Sequence, residues 1–228
     1  MKKVVLVLAL AVFIAGGAFA QLSFSAGVGG SFGAYFTNYL WTSDAKDWFK
    51  LLDLDEDIYD SSTIGGSVYA FFDATFVEIN IGMFFGNTKS VNEDQKKDDK
   101  GFDLTQLSIG LLGKFPISVS SGITIFPMIG IDLLLTLDAQ YDGEKIENDK
   151  DKGILYADYF DQFFIKFGIG ADIALAGSLY LRPSFLYGIR FNTEGEKDRI
   201  DNFNTGTKMV DGIVGHGLQF RLALGFKF

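Results

Sequence analysis

The sequence predicts an all-β protein: a closed, antiparallel, up-and-down barrel of eight strands that crosses a membrane. Three observations lead to this fold class. Apolar residues alternate with small or polar ones in eight segments, the connections between the segments are alternately short and long, and charges fall on the less apolar side of each segment. A period of two residues is that of an extended strand, in which successive side chains point to opposite faces.

The first predicted strand, residues 22–36, shows this alternation over fifteen residues. One side runs from Leu22 through Phe24 and Val28 to Phe36, and the other carries only serine, glycine and Tyr35. A transmembrane strand needs roughly 9–11 residues, so this segment is long enough to cross a bilayer. The pattern recurs at 64–72, 77–86, 106–115, 123–138, 162–175, 179–191 and 217–228.

Two prolines interrupt the predicted strands. Pro127 and Pro183 each lie a few residues beyond a short turn. Because proline has no N–H to donate to a strand ladder, we expect a bulge or an unpaired site at each.

The connections predict which membrane the barrel occupies. Short links lie at 73–75, 116–121 and 176–178, and long, mostly acidic links at 37–62, 87–101, 140–161 and 192–215. Outer-membrane barrels combine short periplasmic turns with longer extracellular loops. We therefore expect an outer-membrane location, with the loops extracellular and both termini periplasmic. A ten-stranded barrel remains an alternative if the first or last long loop contributes a hairpin.

Residues 1–20 have the features of a cleaved signal peptide, which leaves residues 21–228 as the barrel domain. Lys2 and Lys3 precede an apolar run that ends at Ala15, and small residues at 18 and 20 place the cleavage before Gln21. A spanning helix would need roughly 20 apolar residues, and glycines at 16 and 17 interrupt the run too early. The sequence contains no cysteine, so no disulfide stabilises the fold.

The apolar side of each strand is expected to face lipid and the charged side to face the lumen. A charge on the lipid face near the bilayer midplane would cost about 2–4 kcal/mol. Within hydrocarbon, strands satisfy all their backbone N–H and C=O groups only by closing into a ring. We further predict aromatic girdles at the two rims, formed by Tyr35, Phe36, Tyr39 and Trp41 and by Phe76, Phe115, Phe226 and Phe228.

The candidate site is the set of charged side chains predicted to point into the lumen. Asp172 and Arg182 are equidistant from the turn at Gly177, so they should face each other across a hairpin. The charges could form a positively biased conduit or a polar plug; the plug is favoured because the lumen of an eight-stranded barrel is only side-chain wide. The predicted members are Glu78, Lys114, Asp132, Lys166, Asp172, Arg182, Arg190 and Arg221, together with Asp138 and Lys227.

Apolar side chains also fall on the inward side, beside many glycines. Phe84, Phe126 and Phe164 are examples. They either line a pocket for a small hydrophobic molecule or pack into the gaps left by the glycines, and packing is the favoured interpretation.

The end of the chain carries a more specific pattern. Residues 219–228 alternate polar or small residues with apolar ones and finish at Phe226 and Phe228. This ending resembles the C-terminal signal that the outer-membrane assembly machinery recognises. The whole pattern resembles the small eight-stranded outer-membrane barrels, the family that includes the membrane domain of OmpA, OmpX and OmpW. The resemblance implies contacts with outer-membrane lipids, with lipopolysaccharide or glycolipid and with the assembly machinery, and the likeness to OmpW implies a small hydrophobic ligand.

Several function classes are disfavoured. The net charge of −9 argues against a nucleic-acid partner. Asp53, Asp55 and Asp57 resemble the start of a calcium loop but lack the glycine and the final glutamate of an EF-hand. The only histidine, His216, is predicted to face outward, and Leu218 stands where some outer-membrane lipid A deacylases carry serine. We therefore expect no enzyme, no cofactor and no metal.

Two functions remain after these exclusions. The first is a structural or surface-interaction protein with a plugged lumen, whose acidic loops could meet an extracellular partner. The alternative is a narrow channel or carrier for small hydrophobic or ionic solutes.

Overall fold

The computed structural model describes residues 23–51, 60–91, 101–146, 160–191 and 209–228. The predicted signal peptide and the aspartates at 53, 55 and 57 lie outside the described residues. No helix within these ranges is long and apolar enough to cross a membrane. The elements are β1 (Phe24–Trp41), α1 (Ser43–Leu51), β2 (Ser61–Ala74), β3 (Val77–Ser90), β4 (Phe102–Lys114), β5 (Ile117–Ser120), β6 (Ile123–Tyr141), β7 (Glu144–Lys145), β8 (Gln162–Ala176), β9 (Leu179–Phe191) and β10 (Val210–Lys227).

Eight long strands form a closed antiparallel ring in the order β1, β2, β3, β4, β6, β8, β9 and β10, and β10 pairs with β1. The predicted eight-stranded up-and-down barrel is therefore confirmed. The strands are staggered around the ring. If the pairing partner of each residue is followed from strand to strand, starting at Gly27 on β1, the path returns to β1 at Thr37, ten residues further along. Such a stagger tilts the strands of a closed barrel.

Two short strands extend the ring. β5 forms a small hairpin with β6, within the segment predicted as a simple link at 116–121. β7 pairs with the last residues of β6 and lengthens that strand into a hairpin.

Outward and inward side chains alternate along every long strand, and the apolar ones face outward. On β10, Phe220, Leu222 and Leu224 are 52%, 45% and 43% exposed, whereas the intervening Arg221 and Ala223 are 4% and 2% exposed. A soluble barrel would place these apolar side chains in its core. The outer surface is therefore suited to lipid.

The barrel has two dissimilar ends. We call the end that carries the tight connections at 75–76, 115–116, 121–122 and 177–178 the turn end, and the opposite end the loop end. The first and last described residues meet at the turn end, where the N–H of Phe228 donates to the carbonyl of Phe24 at 3.0 Å. Thr75 has a positive φ of 47° in the first tight turn. Its hydroxyl holds the segment just before β1, since it accepts from the N–H of Ser23 at 2.8 Å.

A helix follows β1 at the loop end. The hydroxyl of Thr42 accepts the N–H of Ala45 at 3.2 Å, as a helix N-cap does. Ala45 and Phe49 lie on one face of α1 and pack against Trp41, Val210 and Ile213. This nine-residue helix, Ser43–Leu51, therefore packs on the inward-facing ends of β1 and β10.

This packing corrects the girdle predicted at the loop end. Tyr35 is 2% exposed inside the lumen, and Trp41 is 7% exposed beneath α1. Both carry odd numbers on β1, the side that faces inward, so neither reaches lipid. Phe36 does face outward and stacks on His216 with ring centroids 5.4 Å apart. At the turn end, large aromatic side chains lie exposed as predicted, among them Phe115, Phe226 and Phe228.

Pro127 and Pro183 both lie at gaps in a ladder. β4 pairs with β6 as far as Met128 and β5 pairs with β6 at Ile125, so Pro127 lies between the two ladders. Beside Pro183, pairing between β8 and β9 stops at Gly170–Ser184 and resumes at Ile173–Leu181 in the same register. Of the two expectations, the unpaired site is found and the bulge is not.

Candidate functional site in the lumen

Arg182, on β9, is the centre of the charged groups inside the barrel. Its Nε donates to Oδ1 of Asp172 at 2.6 Å, and its Nη2 donates to the other oxygen of that carboxylate at 2.9 Å. Nη1 lies 2.8 Å from Oε2 of Glu78, and Nη2 lies 2.7 Å from Oδ2 of Asp73. One guanidinium thus satisfies three carboxylates, which its planar set of five N–H donors allows.

Two further cations complete this group. Lys114 donates to Asp73, and Nη2 of Arg221 donates to Oε1 of Glu78 at 2.8 Å. Since burial of an unpaired charge is costly, the equal number of opposite charges is what makes such a buried group tolerable. We call it the turn-side cluster; its members are Asp73, Glu78, Lys114, Asp172, Arg182 and Arg221.

A second ion pair lies further from the turn end. Lys166 donates to Asp132, and its Nζ also lies 3.0 Å from the side-chain oxygen of Gln219. Ser108 donates to the other oxygen of Asp132 at 3.2 Å. We call Asp132, Lys166, Ser108 and Gln219 the mid-barrel cluster. Together the two clusters hold four carboxylates and four cations.

Aromatic rings surround the cations. The guanidinium of Arg182 lies 4.8 Å from the ring centre of Phe71 and 5.0 Å from that of Tyr180. Arg221 lies 4.2 Å from the ring centre of Tyr69. These cation–π contacts supply electrostatic stabilisation on faces that the carboxylates do not reach. The hydroxyl of Tyr180 is held in turn by Ser25 at 2.8 Å.

The structure distributes the predicted site residues unevenly. Seven of the eight lie in the two clusters, and Arg190 lies nearer the loop end, where Nη1 donates to Thr37 at 2.9 Å. Asp138 pairs instead with Lys145 at 2.6 Å at the loop end. The cause is a register shift between β4 and β6: Gln106 pairs with Thr136, but Thr105 pairs with Asp138. The extra residue in β6 exchanges the inward and outward positions of that strand beyond Thr136.

Lys227 also lies outside the clusters. Its side chain is exposed at the turn end, with its Nζ 5.1 Å from the ring centre of Tyr180. It lies one residue beyond the last pair of β10 with β9, Phe226–Leu179, at the edge of the barrel.

Asp73 is the member that the sequence did not suggest. The sequence predicts a short link at 73–75, but β2 continues to Ala74. Its separation by two residues from the inward-facing Phe71 is the signal that could have identified it. With Asp73 included, the two clusters are balanced in charge, and the positive bias expected from the sequence disappears.

Apolar side chains fill the spaces beside the inner glycines. Tyr35 packs with Phe84, Leu134 and Phe164, and the ring of Tyr35 lies where a side chain at Gly217 would stand. A second group comprises Leu112, Phe126, Met128 and Leu186. A cavity of about 10 Å³ lies in the lumen beside Leu112 and Leu186 of this second group. Packing into glycine gaps, the favoured interpretation, describes these side chains.

The sequence also matches a known family of barrels. A model of the outer membrane protein beta-barrel domain family matches residues 5–209. The chain belongs to this family. It is therefore an outer-membrane β-barrel, and no curated protein matches its sequence.

Several solved structures are similar to this outer-membrane barrel. Neisserial surface protein A is 10% identical, with a TM-score of 0.45, covering 90% of this chain and 97% of its own. OprG from Pseudomonas aeruginosa is 12% identical, with a TM-score of 0.44, covering 91% and 96%. Ail, the attachment invasion locus protein of Yersinia pestis, is 8% identical, with a TM-score of 0.38, covering 90% and 98%.

Across the described ranges, no group of three histidine, cysteine, aspartate or glutamate side chains is arranged to hold a metal ion. The carboxylates of the two clusters are occupied by lysine and arginine partners.

Proposed function

We propose that this outer-membrane barrel is a structural or surface-interaction protein whose lumen is closed by side chains and does not conduct. The observation that carries the proposal is the contact between Arg182 and Glu78. Their strands, β9 and β3, lie opposite each other in the ring, yet the two side chains meet at 2.8 Å. A pore along the lumen would have to separate them.

The packing around this contact supports the same proposal. The cavity of about 10 Å³ is the size of a single water molecule. The apolar group of Tyr35, Phe84, Leu134 and Phe164 is 1–2% exposed and lies across the lumen on the loop-end side of Lys166. A solute would have to displace both the ion pairs and these rings.

The proposal assigns the two ends of the barrel to the two sides of the outer membrane. Short turns are typical of the periplasmic side and long loops of the extracellular side, so the turn end is placed in the periplasm. The acidic loops would then meet an extracellular partner, and the outward apolar surface would meet lipid and lipopolysaccharide or glycolipid. Phe226 and Phe228 are proposed as the signal for the assembly machinery.

No catalytic role is proposed. His216 faces outward, stacked between Phe36 and Tyr187 with centroid distances of 5.4 and 6.3 Å. Leu218, two residues further along the same strand, also faces outward and offers no hydroxyl nucleophile.

Conductance in a planar bilayer tests the proposal. The purified protein is first checked for folding by its changed gel mobility before and after boiling, and a conducting porin inserted at the same protein-to-lipid ratio shows that the assay detects a pore. We expect no steady unitary current from the folded protein. Steady currents would contradict the closed lumen and favour the alternative, a narrow channel or carrier for small hydrophobic or ionic solutes.

A further inference from the structure

The small cavity in the lumen lies between the two charged clusters. Its wall is built from seven of the eight ring strands, so it lies near the middle of the barrel rather than in its wall. Lys166, Asp132 and Gln219 line it from the mid-barrel cluster, and Arg221 lines it from the turn-side cluster. Asn80, on β3, is a further polar side chain in this wall.

Asn80 is a buried polar side chain with no hydrogen-bond partner among the described residues. It is 7% exposed, and none of the side-chain hydrogen bonds of the described residues involves its carboxamide. The carboxamide lies over Gly110, its register partner on β4, where an added Cβ would stand 2.6 Å from Oδ1. Buried amides are nearly always hydrogen-bonded, to protein or to ordered water.

We propose that this cavity binds one ordered water molecule, which hydrogen-bonds to Asn80 and links the mid-barrel cluster to the turn-side cluster. A volume of about 10 Å³ is at the lower limit for a single water and leaves no room for a larger solute. Internal waters typically make about three hydrogen bonds to buried polar groups. Asn80 offers both a donor and an acceptor, and charged groups of both clusters lie in the same wall.

The water would give the lumen a property that neither cluster has alone. The direct ion pairs join Arg221 to Glu78 and Lys166 to Asp132, and they leave the two clusters as separate balanced groups. A water between the side chains of Arg221 and Lys166 would join the two clusters into one hydrogen-bonded unit. It can accept a hydrogen bond from the cation of one cluster while it donates to an oxygen of the other cluster. The inference rests on the closed lumen of the proposed function.

Solid-state NMR of the full protein in lipid bilayers tests this directly, through magnetisation transfer from water to side-chain amide protons. Asn87 serves as the hydrated control, because its amide is at the exposed loop end and donates to Asp103. The Nε–H proton of Arg182, observed in the same spectra, serves as the dry control, because Arg182 is 3% exposed and its Nε donates to Oδ1 of Asp172 at 2.6 Å. We expect transfer to Asn80 and Asn87 and none to the Nε–H of Arg182.

The outcomes separate the water from the closed lumen. If transfer is detected at Asn87 but is absent at Asn80, the proposed water is contradicted and the closed lumen is not. Transfer to the Nε–H of Arg182 as strongly as to Asn80 would overturn both, because it would mean a water-filled lumen.

A pair of glycine variants on β4 adds a second test. Gly110→Ala should displace the carboxamide of Asn80 and abolish the transfer, because its added Cβ would lie 2.6 Å from Oδ1 of Asn80. Gly113→Ala, whose added Cβ would lie 3.4 Å from the nearest atom, should preserve the transfer. Unchanged transfer in folded Gly110→Ala would contradict the assignment to this cavity.

Discussion

Arg182 and Glu78 meet across the lumen, with Nη1 of the arginine 2.8 Å from Oε2 of the glutamate, although their strands occupy opposite positions in the ring. The same guanidinium also holds Asp73 and Asp172. Four strands, β2, β3, β8 and β9, are therefore joined through one side chain inside the barrel. Loss of the Arg182 side chain would therefore break ion pairs to three of these strands at once.

Replacement of Arg182 by alanine should strongly destabilise the barrel. The change leaves three buried carboxylates without their shared cation, and removal of one partner of a buried ion pair typically costs about 3–5 kcal/mol. The free energy of unfolding is measured by urea titration in detergent micelles or bilayers. Lys145→Ala is the control, because it removes the exposed partner of Asp138 and should change stability little. Equal stability of the two variants would contradict a central role for Arg182.

Asp73 and Lys114 should be coupled in a double-mutant cycle. Lys114 donates to Asp73, so Asp73→Asn leaves a buried ammonium poorly paired, and Lys114→Met leaves the carboxylate with Arg182 alone. The double variant should be less destabilised than the sum of the single variants, with a coupling of about 0.5–3 kcal/mol. Strict additivity of the unfolding free energies would mean that the two groups do not form the buried pair.

The inner glycines should be intolerant of even one added carbon where a ring lies against them. At Gly225 a Cβ would stand 2.2 Å from Cζ of Tyr180, whose ring is buried against Arg182. Gly225→Ala should lower the free energy of unfolding by about 1–3 kcal/mol, as overpacking does. Gly122→Ala, whose Cβ would be 3.9 Å from its nearest neighbour, is the matched control. A tolerant Gly225 would show that Tyr180 is free to move.

Phe228→Ala should reduce assembly in cells more than it reduces stability. The ring is 68% exposed at the turn end, while the backbone N–H at this position bonds to Phe24 whatever the side chain is. We expect less heat-modifiable protein in the outer membrane but nearly unchanged unfolding of the refolded barrel. Phe115→Ala, which removes a similarly exposed ring at the same end, should assemble normally. Equal losses in cells and in refolding would indicate a structural role instead.

Much of the fold could be predicted because the alternation is a local property. A period of two identifies each strand, and the polarity of one face places Glu78, Lys166 and Arg182 on the inward side without knowledge of the neighbouring strands. The equal distances of Asp172 and Arg182 from Gly177 predicted their contact, which the structure has at 2.6 Å.

What could not be predicted depends on contacts between distant segments. The bulge that moves Asp138 away from the clusters arises from pairing with β4. Trp41 is buried because α1 folds back over the ends of β1 and β10. The partners of Asp73 come from β4 and β9, so its role follows from closure of the ring rather than from its own strand.

The inside-out arrangement is tested most directly by lipid exposure along β10. The chain has no cysteine, so single spin labels can be placed at Phe220→Cys, Leu222→Cys and Leu224→Cys in protein reconstituted in bilayers, with Lys145→Cys as the solvent-exposed control. Power-saturation electron paramagnetic resonance then compares collisions with oxygen and with a water-soluble nickel complex. Oxygen should dominate at all three β10 positions, and nickel at position 145. Labels on β10 that collide with nickel as readily as the control, or that are shielded from both reagents, would contradict an apolar surface turned toward lipid.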